Sequence, residues 1–547
     1  MDACNHGDVA SATWHSWHSI QWPAGHGVVR RLQTRIAKAA RECDWRKVKR
    51  LQKLLTRSTS SKAVAVRRVT ENQGRKTPGV DGATWSTPDA KWRAVCSLHA
   101  RHYRPQPLRR VHIPKANGGK RPLGIPTMRD RAMQALYLLA LEPVAETTAD
   151  SNSYGFRPER STVDAIEQCF NALRRKDSAQ WILEGDIKGC FDNIAHDWML
   201  RRIPIDRAVL RKWLKAGYVE KGRLFPTEAG TPQGGIISPT LANMVLDGLE
   251  PVLATRFKRQ HKVHFVRYAD DFVVTGRSQE LLEREVIPVI ENFLAERGLR
   301  LSPSKTKITH IADGFDFLGW NVRKYGNKLL IKPAKGNEKQ LYRKVRDILR
   351  KLRMAKQEDV IRLLNPLLRG WGNYHSSQTS SRAFAKMDHR IFGGLQRWVK
   401  RRHPTKNKRW LKRRYYSSAP NRDWVFASGM EALVRLSDFK IRRHVKIKAE
   451  ANPFDPTWDE YFEIRLGWKM RRTLAGRRKL SWLWTKQDGR CPQCRQPITN
   501  KSGWHLHHKV WRCHGGSDKL SNLELVHENC HRQKHSLGRK HARPPVS

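Results

Sequence analysis

The stretch that decides the fold is His264-Phe-Val-Arg-Tyr-Ala-Asp270-Asp271-Phe-Val-Val274. Apolar β-formers stand on both sides of two adjacent aspartates, which reads as strand, tight turn, strand, with the turn at the aspartates. Upstream, Trp181-Ile-Leu-Glu-Gly-Asp186-Ile187 has the same texture and also ends on a carboxylate. If the two segments are neighbours in one sheet, Asp186, Asp270 and Asp271 converge on one edge. Three hard oxygen ligands suit Mg²⁺, which keeps positions for water and phosphate. A two-metal site of that kind clamps the attacking and leaving oxygens of an in-line phosphoryl displacement. An Asp-Asp pair in a turn is common on conformational grounds alone, but carboxylates facing an apolar core are costly to bury without a cation.

Working outward, the chain has 547 residues, which at roughly 150 residues per domain predicts three or four domains. Lys and Arg total 106 against 50 Asp and Glu, a formal charge of +56. Such a surplus repels itself unless a polyanion lies against it, so nucleic acid is the expected partner and an anionic membrane surface the weaker one. Hydrophobic residues make up 39% of the chain, with 20 Trp, which excludes wholesale disorder. No apolar run reaches the roughly 18 residues of a spanning helix. The run near Ala135 to Leu141 fits a buried helix. Four of the nine cysteines, Cys491, Cys494, Cys513 and Cys530, crowd near the end, and the others are scattered. This is no disulfide framework, and a reducing compartment is expected.

Residues 1–27, rich in His and Trp, read as a poorly ordered tail and not as a signal peptide. Residues 28–60 place apolar positions at helical spacing among many bases. From Arg110 to about Val322 short apolar runs alternate with Gly- and Pro-marked turns, an α+β texture. From Glu338 to about Lys400 the pattern is helical and basic, followed by the Lys/Arg-rich segment Arg401 to Arg414.

Tyr268-Ala-Asp-Asp271 on the central hairpin resembles the active-site box of reverse transcriptases. The flanking blocks agree in order: Arg110-Val-His-Ile-Pro-Lys115 with Arg121-Pro-Leu-Gly-Ile-Pro126, Ser153-Tyr-Gly-Phe-Arg-Pro158, Asp186-Ile-Lys-Gly-Cys-Phe-Asp192, Gly230-Thr-Pro-Gln-Gly-Gly235, Gly298-Leu-Arg-Leu-Ser-Pro-Ser-Lys305 and Phe317-Leu-Gly-Trp320. Farther on, Leu367-Leu-Arg-Gly-Trp-Gly-Asn-Tyr374 and Arg397-Trp-Val-Lys-Arg-Arg-His-Pro404 resemble a maturase, or thumb, region. Together the blocks resemble group II intron-encoded proteins over nearly the whole chain. The resemblance implies a multidomain α+β fold. Right-hand polymerase fingers and palm would span 28–335, an α-helical thumb 336–414, and a DNA-binding region 415–480. A small zinc-containing ββα-metal nuclease module would span 481–547.

The resemblance also implies roles. Asp186, Asp270 and Asp271 would bind catalytic Mg²⁺. Lys115 and Arg121 would meet the incoming deoxynucleoside triphosphate. Phe191 would exclude a ribose 2′-hydroxyl, Gln233 would lie beside nucleotide and template, and Lys305 near primer and nucleotide. Group II intron RNA and target DNA are the implied partners, without a membrane, in a bacterial cytoplasm beside the nucleoid or in an organelle. In the basic middle, aromatics can stack on unpaired bases, yet Trp371, Tyr374 and Trp398 are better expected in a helical core.

Cys491-Pro-Gln-Cys494 and His527-Glu-Asn-Cys530 have spacings that suit tetrahedral Zn²⁺. Beside them stand His507-His508, Gly515-Gly516, Asn522 and the pair His531 and His535, one helical turn apart. In this order they resemble the HNH nuclease motif. That match implies His507, His531 and His535 as ligands of a catalytic metal, His508 as general base and Asn522 as the residue fixing its loop. Two points stay open: His527, His531 and His535 could share one helix face, and Cys513 could replace His527. The competing function is a non-enzymatic splicing factor descended from a polymerase, and a retron-type polymerase is a third. The complete acidic triad speaks against the former, the maturase- and nuclease-like regions against the latter.

Overall fold

The computed structural model describes residues 14–114, 119–419, 422–429, 431–474, 477–500 and 502–541. The chain opens with three helices, α1 (Trp22–Arg41), α2 (Trp45–Arg57) and α3 (Thr59–Glu71). Asp44 caps α2 by accepting from the Lys47 N–H, and Ser58 caps α3 through Ser61. Their apolar stripes pack on α4 (Met128–Thr148), which is buried on nearly every side and carries the apolar run noted above. The expectation of a tail over 1–27 is corrected for the described part. Trp14, Trp17, Ile20 and Trp22 are buried, and α1 already starts at Trp22, with Pro23 in its first turn, inside the expected tail. Single large indoles anchor this segment without any apolar periodicity to announce them.

The fingers sheet runs in the order β2-β1-β4-β5: β1 (Leu108–Pro114), β2 (Lys120–Ile125), and the short β4 (Tyr218–Glu220) and β5 (Arg223–Phe225). The palm sheet is antiparallel, ordered β6-β7-β3-β8: β3 (Trp181–Asp186), β6 (Phe265–Tyr268), β7 (Asp271–Gly276) and β8 (Lys307–His310). One face of it joins the α1–α4 core. The other packs on α5 (Thr162–Leu173) and on the small sheet β9 (Phe315–Phe317), β10 (Trp320–Tyr325) and β11 (Lys328–Pro333).

Next come α6 (Lys335–Lys351), α7 (Gln357–His375) and α8 (Ser381–Arg402). On α6, Leu341, Val345 and Leu349 point inward while Arg343, Lys344, Arg346 and Arg350 are exposed, a one-sided basic helix. The sheet β12 (Tyr416–Ala419), β13 (Arg422–Ser428) and β14 (Glu431–Ala432) belongs to the same core through Tyr416 and Phe426, and Leu436 just after it joins that core too. The packing therefore has no break at 414/415, where the sequence reading drew a boundary. Two lone glutamine and asparagine side chains, Gln357 and Asn365, tie α7 to these strands by donating to the Ala427 and Ala432 carbonyls.

Helix α9 (Asp459–Thr473) leads to the C-terminal module, made of the hairpin β15 (His505–His508) and β16 (Leu523–Val526) and helix α10 (Glu528–His541). No helix among the described residues is long and apolar enough to cross a membrane.

Candidate functional sites: a palm carboxylate cluster and a C-terminal Cys/His module

In the palm, β3 and β7 pair so that Asp186 stands opposite Asp271, and β6 pairs with β7 so that Tyr268 also faces Asp271. The turn is thus Ala269-Asp270, one residue earlier than expected, and Asp271 already belongs to the returning strand. Ala269 takes φ +59, the left-handed geometry that a two-residue hairpin turn requires and that a non-glycine residue adopts at a cost. The position is held from outside. The Tyr154 N–H donates to the Arg267 carbonyl (2.9 Å) and the Arg267 N–H to the Asn152 carbonyl (2.9 Å). The Arg267 guanidinium, buried, bonds Asn243, the Ala269 carbonyl and Asp247. Asn243 in turn donates to the Gly155 carbonyl at 2.7 Å. Gly155 lies so close under the turn that a Cβ there would be 2.3 Å from the Ala269 nitrogen. Gly185 likewise leaves room for the cross-strand Phe272 ring.

Sequence reasoning did not single out Arg267, Asn243, Asp247 or Gly155 as supports. Gly155 and Arg267 stand inside quoted motifs, but their partners are remote in sequence.

The carboxylates are in electrostatic tension. Burial, then repulsion from Asp270 and Asp186, pushes the Asp271 carboxyl up to about 6. Asp270 is raised by burial and by Asp186, with Arg121 and Lys305 acting the other way. Lys305 Nζ donates to Asp186 at 2.8 Å. Clustered carboxylates with raised pKa values are the donor set that a divalent cation relieves.

Of the other expected nucleotide residues, Arg121 and Lys305 act on the Asp270 carboxylate, and Phe191 and Gln233 are placed by neighbouring loops. Phe191 is half-buried, its ring 6.3 Å from that of Phe156. Its carbonyl accepts from the Thr231 N–H at 2.7 Å. Gln233 is half-buried, and its carbonyl accepts from Gly124 of β2 at 2.7 Å, which joins the Pro-Gln-Gly loop to the strand bearing exposed Arg121. Lys115 lies outside the described residues. Trp398 is buried, as a core position should be. Trp371 and Tyr374 are half-buried: the indole N–H donates to Asn337, the phenol to the Leu318 carbonyl, and Tyr374 stacks on Trp320 at 4.2 Å.

In the C-terminal module the structure separates two ligand groups that the sequence left open. The donor atoms of Cys491, Cys494, His527 and Cys530 all lie within 4.8 Å of one another, and all four residues are buried. His527 comes just before α10. Its Nε2–H donates to the Pro497 carbonyl at 3.1 Å and leaves Nδ1 turned to Cys494 Sγ at 3.3 Å. A backbone carbonyl that fixes the imidazole in this way is a common partner of a metal-bound histidine. The Cys513 side chain lies outside the described residues.

The second group is His507 on β15 with His531 and His535 on α10, again within 4.8 Å. Burial and the neighbouring His535 and His507 lower His531 to about 4, which keeps it a neutral donor. His508, next along β15, turns the other way, and its Nε2 bonds Asp518 at 2.7 Å. Asn522 ties the intervening loop. Its Oδ1 accepts from the Val510 N–H at 2.8 Å, and its amide donates to the Val510 and Ser517 carbonyls. Asp518, itself clasped by Arg512, was not foreseen.

The palm hairpin with its carboxylates, and a ββα module carrying both a buried thiol group and a histidine group, define a polymerase joined to a small nuclease-type module. Comparison with known proteins agrees. The profile of "Reverse transcriptase (RNA-dependent DNA polymerase)" matches residues 113–322 and the "N-terminal domain of reverse transcriptase" residues 17–98. "Group II intron, maturase-specific domain" matches 338–416 and "HNH endonuclease" 491–537. Protein YkfC of Escherichia coli is 34% identical over 337 residues, which cover 53% of this chain and 87% of YkfC. The group II intron-encoded protein LtrA of Lactococcus lactis is 30% identical over 331 residues, 48% of this chain and 54% of LtrA. An uncharacterized 91 kDa protein in the cob intron of Schizosaccharomyces pombe is 30% identical over 398 residues, 57% of this chain and 49% of that protein. The matches thus span about half the length of the last two relatives. The chain belongs to the group II intron-encoded proteins that join a reverse transcriptase to a maturase domain and an HNH endonuclease.

Proposed function

We propose that this protein copies RNA into DNA at Asp186, Asp270 and Asp271, binds its own intron RNA to assist splicing, and nicks a target DNA strand to obtain its primer. The observation that carries the reading is the cross-strand pairing of Asp186 with Asp271, with Asp270 in the adjoining turn. These carboxylates would hold Mg²⁺, which supplies the charge that stabilises an in-line phosphoryl displacement. Lys305 and Arg121, with Lys115, present charge-assisted donors to the triphosphate of a deoxynucleotide. Phe191 fills the space under the sugar, and Gln233 packs beside the base pair.

The one-sided basic helix α6 and the bases of α8 serve as phosphate contacts for structured RNA. In the C-terminal module Cys491, Cys494, His527 and Cys530 would hold a structural Zn²⁺. His507, His531 and His535 would hold the nuclease metal. His508 accepts a proton from the attacking water, and Asn522 keeps its loop in place. The 415–480 region contributes contacts to target DNA. The protein works where its intron is transcribed, in a bacterial cytoplasm or an organelle. A non-enzymatic splicing factor has no use for the three carboxylates together.

Primer extension on an RNA template tests the polymerase half. Asp270→Ala should lower extension by at least a hundredfold and leave affinity for the RNA within about twofold. Extension near the parental rate would overturn the assignment.

A further inference from the structure

We infer that Arg67, on α3 in the N-terminal region, is an outer-sphere partner of the C-terminal thiolate site and fastens the HNH module to the polymerase through it. The inference rests on the zinc reading of Cys491, Cys494, His527 and Cys530. Arg67 is 4% exposed, and its Nη2 donates to Cys530 Sγ at 3.1 Å. On the same guanidinium, Nε donates to Glu71 at 2.5 Å. The guanidinium also lies over the Trp22 ring, 4.5 Å from its centroid. Trp22 reaches the module as well: its indole N–H donates to Gln533 Oε1 at 3.0 Å, one turn beyond Cys530 on α10. At the rim Arg75 pairs with Glu528 at 3.4 Å. Cys491, Cys494, Cys530, Leu525 and Val526 fall in the same apolar cluster as α1 and α3.

The charges explain why an arginine stands there. Zn²⁺ with three thiolates and a neutral imidazole carries a net charge of −1. An uncompensated anion inside an apolar cluster is expensive, and a buried guanidinium offsets it. The module's side of this charge pairing exists only with the zinc-thiolate group, whereas Glu71, the other anionic partner of Arg67, lies on α3 itself. Arg67 is therefore a positioning residue, and the zinc site adds a charge pairing to the Trp22–Gln533 and Arg75–Glu528 contacts that join two regions far apart in the sequence.

The test uses the full-length protein. Zinc content, the rate of zinc transfer to a chromophoric chelator, and amide hydrogen exchange are measured on the parent and on Arg67→Met, which keeps volume and removes charge. Outer-shell partners typically contribute about 10- to 100-fold to metal affinity. Arg67→Met should release zinc faster by about that factor, and exchange in α1 and α3 should rise. Arg67→Lys, which keeps the charge but not the fork, should fall between. Primer extension from a supplied primer should persist. Zinc release at the parental rate from a folded Arg67→Met overturns the inference. A second measurement needs no variant: stripping zinc from the parent should raise exchange in α1 and α3, and unchanged exchange there also overturns it. A parent with less than one zinc per chain, when purified without chelator, would instead strike the zinc reading on which the inference stands.

Discussion

At the scale of residues, the palm site depends on close backbone contact as much as on its carboxylates. A Cβ at position 155 would lie 2.3 Å from the Ala269 nitrogen and 2.9 Å from the Tyr268 carbonyl carbon. Neither backbone atom can move without carrying Asp270 along. Gly155→Ala should therefore destabilise the palm by about 1–3 kcal/mol, the range for overpacking. It should also cut primer extension at least tenfold while RNA affinity stays near the parental value. Denaturant unfolding and extension kinetics on the same preparation check both. The carboxylates themselves were legible in the sequence, because a strand-turn-strand pattern fixes where two aspartates fall. Gly155, Asn243 and Asp247 were not legible as supports of that turn, because their contacts join segments separated by many residues of chain. Asp518 was hidden for a similar reason, since only the folded loop brings it to His508.

At the scale of elements, one buried carboxylate ties the segment after the thumb to the palm. Asp164, three residues inside the capping box that starts α5, accepts from the Ser161 N–H (2.9 Å), the Ile447 N–H (2.8 Å) and His444 Nε2 (2.7 Å). Arg465 adds a contact at 3.4 Å. Burial alone would raise the Asp164 pKa, but the bonds from His444, Ser161 and Ile447 outweigh it and hold it at about 2. The unfolded value is about 3.9, so the contribution is present above pH ~4 and is lost as pH falls from ~4 towards ~2. Lowering the carboxyl from about 3.9 to about 2 corresponds to about 2–3 kcal/mol at neutral pH. Asp164→Asn should lower stability by about that amount at pH 7 and flatten the acid limb of the stability profile. Urea unfolding at pH 7 and across pH 2–5 measures it, and an unchanged acid limb would show that Asp164 does not carry the joint.

Element boundaries were the least legible part of the sequence. Trp14, Trp17 and Trp22 read as a tail because isolated indoles make no periodic stripe, yet each buries a large apolar surface. Residues 416–436 read as the start of a new region because the 415–480 segment resembles the family's DNA-binding region. Their alternate apolar positions complete the core beneath α7 and α8 instead.

At the scale of the whole molecule, the proposed function has two chemical sites of one chain working in series, the C-terminal module making the primer end that the palm extends. A charge of +56 suits the protein to nucleic-acid partners, and on the proposed reading the Arg67 joint keeps the module on the polymerase. Target-primed DNA synthesis tests that claim most directly. Purified protein, intron RNA, deoxynucleotides and a DNA duplex bearing the target are combined, and new DNA joined covalently to the target strand is measured. The parent should make it from intact and from pre-nicked duplex. His508→Ala should make none from intact duplex and recover on the pre-nicked one. Asp271→Ala should nick intact duplex and make no DNA from either. Synthesis from intact duplex by His508→Ala, or from pre-nicked duplex by Asp271→Ala, would contradict the account.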